Sequence, residues 1–208
     1  FVVKDTTDDH TVLPQNIITY DPSAAEKYAR NHTKTTAAKM KPSNYNTAFG
    51  FIEEGDCANF VSQCLCAGGL PMFKTWSKKG ATGLPSDWNG AANWDHTNRL
   101  RCALLAKGRI KQIKMAQVQK GDIIFNYKST IADIHKRYPH VVIAADKYDT
   151  SNNTCKVHGH TDNVLDYQKE MENEDKFRCY RVLPVIKVEN CEKRVQLPEI
   201  GNGGSVIS

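Results

Sequence analysis

Apolar and polar positions divide the chain into two halves with different periods. Tyr20-Asp21-Pro22-Ser23 has the form of a helix start, with Asp21 as N-cap and Pro22 at the first helical position. Ala24, Ala25, Tyr28 and Ala29 then recur on one face, which predicts an amphipathic helix over 22–32. Residues 42–55 carry Ser, Asn, Tyr and Gly and read as a loop. Asp56 can cap a second helix beginning at Cys57, in which Phe60, Val61, Cys64 and Leu65 share a face. Gly68-Gly69 and then Pro71 stop it. Residues 72–96, rich in Gly, Pro, Asn and Trp, read as a loop, and 97–107 as a helix closed by Gly108.

Beyond residue 120 the apolar residues gather in short runs. These predict strands over 121–126, 139–144 and 154–160, with a turn at 149–153, and a fourth strand over 177–188 interrupted by Pro184. Helices first and antiparallel strands second is the α+β arrangement. The polar residues 1–19 read as an arm or linker, 20–190 as one domain, and 191–208 as a Gly-containing tail.

Composition adds bounds. A chain of 208 residues can build a core without metals or disulfides. No apolar run approaches the roughly 20 residues needed to span a bilayer. The chain starts at Phe1 with no signal segment in view, as a trimmed chain would. The net charge of +5 is dispersed, which argues against nucleic acid as a partner and suits solubility or an anionic surface. The cysteine count of seven is odd: three disulfides would leave one reactive thiol, whereas a reducing setting would leave all of them as small apolar side chains. The cysteines lack Cys-x-x-Cys spacing and the histidines lack a fitting acidic partner, so no metal and no cofactor are expected.

The chemistry centres on Cys57. A thiol attacks as thiolate, and a helix N-terminus favours that negative charge. The same N–H groups can hold an oxyanion. His140, at the head of an apolar strand, is the candidate base. His158 and His160 are spaced by two on the next strand and therefore share a face, and either could sit beside His140 and orient its ring. Trp76 and Trp88 are candidates for a substrate groove or for packing, and Trp94 for packing.

Tyr20-Asp21, Ala24-Ala25, Tyr28-Ala29, then Asp56 through Gly69 and Leu70-Pro71-Met72, resemble the signature of the putative amidase domain family. Gly121-Asp122-Ile123-Ile124-Phe125, His140-Val141-Val142-Ile143 and His160-Thr161-Asp162-Asn163 follow in the same order. The similarity covers roughly residues 20–183. It implies a papain-like fold, related to CHAP and NlpC-type cell-wall hydrolases, whose N-terminal helices carry the nucleophile against a C-terminal antiparallel sheet or partial barrel. It maps Cys57 to the nucleophile and His140 to the base. The orienting group maps to His160 first, His158 second, and Asp162 or Asn163 if the strand register shifts. Asp56 maps to a supporting cap and Tyr45 to an oxyanion helper.

The expected activity is cleavage of a peptide amide, with peptidoglycan peptides or muramoyl-peptide bonds as the substrate class. A secreted or wall-associated setting goes with that substrate, with the cytoplasm as the alternative. An acyl transferase or protease-type effector on the same Cys–His pair, and a catalytically silent binding module, are the competing functions.

Overall fold

The computed structural model describes residues 17–33, 45–52, 55–78, 93–133, 136–160, 164–187 and 192. Among them the chain forms three α-helices, α1 (Pro22–Asn31), α2 (Cys57–Ala67) and α3 (Thr97–Ala106). Eight strands accompany them: β1 (Ile17–Thr19), β2 (Ile110–Ile113), β3 (Ile123–Asn126), β4 (Val141–Ala144), β5 (Thr154–Gly159), β6 (Val164–Glu170), β7 (Phe177–Val182) and β8 (Val185–Lys187).

The α+β reading therefore holds. Strands β2-β7-β3-β4-β5-β6 form one antiparallel sheet, open rather than closed into a barrel among the described residues. β1 and β8 form a separate two-stranded ribbon, so residues 17–19, expected in an irregular arm, are strand.

α1 begins as its sequence dictates. The Asp21 carboxylate accepts from the N–H groups of Ser23 and Ala24, at 2.8 and 3.1 Å, and Pro22 occupies the first turn. The Asp21 N–H in turn donates to the Gly68 carbonyl at 2.8 Å, so the start of α1 is tied to the end of α2. Gly68 has no room for a side chain there: a Cβ would lie 2.3 Å from the Tyr20 ring and 2.9 Å from the Asp21 carbonyl.

The pleat sends alternate residues of the sheet into two cores. Ile123 and Phe125, Val141 and Ile143, and Tyr180 and Val182 pack with the helices. Ile124, Val142, Ala144, Cys155, Val157 and Cys179 face the other way, against Met115, Val118, Tyr148 and Met171. With both faces covered, β3 and β4 read as continuous apolar runs instead of alternating ones. No helix among the described residues is long and apolar enough to cross a membrane.

Candidate active site

α2 runs through the larger core and is buried from Cys57 to Cys66. A wholly buried helix must satisfy every polar side chain it carries. Asn59, Ser62 and Gln63 do so through partners outside the helix. Asn59 accepts from the Trp94 indole N–H at 2.7 Å and donates to the Gly50 carbonyl at 3.2 Å and the Asp56 carboxylate at 2.7 Å. Ser62 donates to the Trp94 carbonyl at 2.8 Å and accepts from the Trp76 indole at 3.1 Å. Gln63 accepts from the Tyr28 hydroxyl at 2.7 Å. The polar letters of the Asp-Cys-x-Asn-Phe-Val-Ser-Gln motif thus fasten α2 to α1 and to the segments around Gly50 and Trp94.

Asp56 departs from its expected role as a cap. Its side chain makes no capping bond to α2. One carboxylate oxygen accepts from the Ile52 N–H at 2.9 Å and from Asn59. The other meets Nδ1 of His160. The carboxylate is thereby turned away from the first-turn N–H groups of α2.

His160 is held on every side. Its Nε2 contacts the His32 carbonyl at 2.7 Å, and its ring stacks on Phe60 at 3.8 Å between centroids. A carbonyl only accepts, so Nε2 donates to it, and Nδ1 faces the Asp56 carboxylate. Both nitrogens are spent on these partners. His160 therefore has no ring nitrogen left with which to orient His140.

His158 is committed elsewhere too. Its Nδ1 accepts from the Asp166 N–H at 3.1 Å, so Nε2 bears the proton and donates to Glu26 at 3.0 Å. Arg30 bridges Glu26 and Asp166, closing a network between α1, β5 and β6. Burial lowers the pKa of His158 and keeps the ring neutral. Burial alone would raise that of Glu26, but hydrogen bonds from His158 and Arg30 outweigh it and hold the carboxyl below its usual range. His158 and His160 do share a face, as the spacing predicted. The face is turned to α1 and to the start of α2.

Cys57 is the first residue of α2 and is 4% exposed. His140 is half-buried, one residue ahead of β4, and its carbonyl accepts from the Asn126 N–H at 3.0 Å. In the β4–β5 pairing Ile143 lies opposite His158 and Ala144 opposite Val157. Continued to the strand ends, that register sets His160 opposite Val141. Since His160 touches Asp56, the start of α2 and the start of β4 meet at one end of the sheet.

Tyr45 joins this end indirectly. It stacks on Phe51 at 5.4 Å, and Phe51 presents an edge to His160 at 6.1 Å. Trp76 does not line a groove: it is fully buried, bonded to Ser62 and stacked on Trp94 at 5.3 Å. Trp88, Asp162 and Asn163 lie outside the described residues. A concavity of about 530 Å³, bordered by Gln112, Lys114, Glu174 and Arg178, includes none of the expected site residues in its lining.

The odd cysteine count does not single out Cys57, because none of Cys57, Cys64, Cys66, Cys102, Cys155 and Cys179 is held in a disulfide. Environment separates them better. Burial pushes Cys64 and Cys66 far up, and Cys155 and Cys179 up to about 12. Cys102 is exposed on α3. No group of three or more His, Cys, Asp or Glu among the described residues could hold a metal ion.

A family model described as a putative amidase domain matches residues 19–183. The uncharacterized protein YjcM of Bacillus subtilis (strain 168) is 38% identical over 66 residues, which make up 32% of this chain. The matched stretch spans 14% of that relative's own length. No solved structure matches.

Proposed function

The chain belongs to the putative amidase domain family, and on that premise we propose that it is a cysteine-dependent amide hydrolase with Cys57 as nucleophile and His140 as base. The observation that carries the proposal is the seat of Cys57. It opens a buried helix to whose first turn the Asp56 side chain makes no capping bond, at the sheet end where β4 begins.

The thiolate of Cys57 attacks the amide carbonyl. The first-turn N–H groups of α2 receive the oxyanion. His140 takes the thiol proton and passes it to the departing amine as the C–N bond breaks. Water, deprotonated by the same imidazole, then cleaves the thioester and restores the thiol. A helix bearing the nucleophile at its start and packed on an antiparallel sheet supports placing the chain with the papain-like Cys–His hydrolases. Peptidoglycan peptides are the proposed substrate class, and a wall-associated setting goes with them.

Mass spectrometry of the protein incubated with defined muropeptides, and in parallel with ordinary peptides, tests this. Cleavage is expected for the muropeptides and should vanish in Cys57→Ala and in His140→Ala. Cleavage that survives Cys57→Ala would overturn the proposal.

A further inference from the structure

The sheet end at which α2 and β4 begin also gathers two arginines on tyrosine rings. Phe125 packs toward the helices, and Arg178, the second residue of β7, stands directly opposite it in the β3–β7 register. Side chains directly opposite in an antiparallel pair leave the same face of the sheet. Arg178 therefore lies on the face that carries α2 and α3, and its Cζ sits 4.0 Å from the centre of the Tyr127 ring. Tyr127 meets Tyr138 at 5.2 Å between centroids, and the Arg101 guanidinium covers Tyr138 at 4.3 Å. Arg101 lies on α3, whose start is tied to the Tyr138 carbonyl by the Thr97 hydroxyl. Across the sheet end the order is thus Arg178, Tyr127, Tyr138, Arg101. Burial raises the pKa of Tyr138, and both guanidinium charges pull against it.

Both arginines are half-buried, and the acceptors they meet are neutral. Arg178 donates from Nη1 to the carbonyls of Glu174, Asp175 and Phe177, at 3.1, 3.4 and 2.7 Å, which leaves its Nε and Nη2 open among the described residues. Arg101 donates to the Tyr180 hydroxyl at 3.3 Å and to the Asn98 side-chain oxygen at 3.2 Å, and its shielded Nε meets no acceptor. Among the described residues no carboxylate pairs with either guanidinium. Two like charges on adjoining rings repel, and an anion between them relieves the repulsion. The Nε–Nη2 edge of a guanidinium held flat on an aromatic ring matches a carboxylate with two parallel bonds.

We propose that this arginine–tyrosine ledge selects the substrate: Arg178 grips a carboxylate of the peptide, and Arg101 adds the second positive charge. The identity of the ligand rests on the amide-hydrolase reading above. Neighbouring strands lie about 4.8 Å apart, so Arg178, two strands from β4, stands roughly 10 Å from the start of that strand. An extended chain advances about 3.3–3.6 Å per residue, which sets the selected carboxylate within about three residues of the amide that is cut.

The probes are two muropeptides identical except for one glutamyl carboxylate, free in one and amidated in the other. Binding is measured by calorimetry on Cys57→Ala, and cleavage by mass spectrometry on the parent chain. The free acid should bind about tenfold tighter than the amide, the scale of a charge-assisted pair. Arg178→Gln and Arg101→Gln, each in the Cys57→Ala background, should shrink that ratio, and the two together should abolish it. Arg178→Lys keeps the charge without the fork and should fall between parent and Arg178→Gln. The ratio compares two ligands on one protein, so partial unfolding of a variant cancels from it. Equal binding of acid and amide before any arginine is changed, or a ratio that survives the double substitution, would overturn the inference. An arginine-dependent ratio with no cleavage of either peptide by the parent chain would overturn the hydrolase reading and leave the ledge as a carboxylate site. Binding of neither peptide would overturn both.

Discussion

The ring of His160 and the carboxylate of Asp56 meet across 104 residues of sequence, immediately before the first turn of α2. Each side chain is 1% exposed. Removing one member leaves the other buried without its partner, which costs about 3–5 kcal/mol. Asp56→Ala and His160→Ala should each lose that much in urea unfolding. The double variant should lose far less than the sum, because the two act as a unit. Additive losses would show that they do not.

The cysteines should separate by environment. In native protein at pH ~7, a small alkylating reagent is expected to modify Cys57 and Cys102 first. Cys64, Cys66, Cys155 and Cys179 should react only after unfolding, since burial disfavours their thiolates. Peptide mapping before and after adding urea reads this directly. Early modification of Cys155 or Cys179 would contradict the packing of the second core.

Acid should weaken the fold in two steps of the same sign. His158 and His32 have lowered pKa values, chiefly through burial, so the unfolded chain takes up protons on them more readily than the folded one. Their contribution is full above about 6.5 and is lost as pH falls toward their folded values. Glu26 also has a lowered pKa, because hydrogen bonds from His158 and Arg30 outweigh its burial. Its contribution is full above the ordinary carboxyl value of 4.5 and is lost as pH falls through the folded one. The thermal midpoint, scanned from neutral to acid, should therefore decline from about pH 6.5 downward. His158→Gln should reduce the upper step and leave the share due to His32. A midpoint that rises over the upper step would show that His158 is charged in the fold.

The Asn59–Trp94 bond is the fourth point of test. Asn59→Ala leaves the Trp94 indole N–H buried without an acceptor, at a cost of about 1–3 kcal/mol. It also removes a donor from Asp56, so the loss should lie toward the upper end of that range. Denaturant unfolding followed by tryptophan fluorescence measures it. Trp94→Phe in the Asn59→Ala background should recover part of the loss, since no stranded donor remains.

Local rules reached some of these features and not others. Pro22 behind a capping Asp21, and Gly68-Gly69 ahead of Pro71, bounded α1 and the end of α2 because helix ends are decided within a few residues. β3 to β5 were legible as apolar runs. β2 carries Lys111-Gln112 between two isoleucines, and β6 carries Asp166, Gln168, Lys169 and Glu170. Both lie at sheet edges, where one side chain in two need not be apolar. β1 is strand only because β8 lies beside it, far along the chain. Cys57 was legible as the first residue of a helix. The turning of Asp56 away from that helix was not, because a capping rule sees three residues ahead and the competing partner is His160. For the same reason Trp76 could not be placed: nothing near it in sequence points to Ser62.

The β1–β8 ribbon has a mechanical consequence. Ile17 faces Lys187 and Thr19 faces Val185, and the pair between them, Ile18 and Ile186, is buried in the larger core. A pull applied at Ile17 and Lys187 loads the pairs one after another, as in opening a zip, and never stretches all three together. Opening the ribbon in this way would draw Ile18 and Ile186 out of the core one pair at a time.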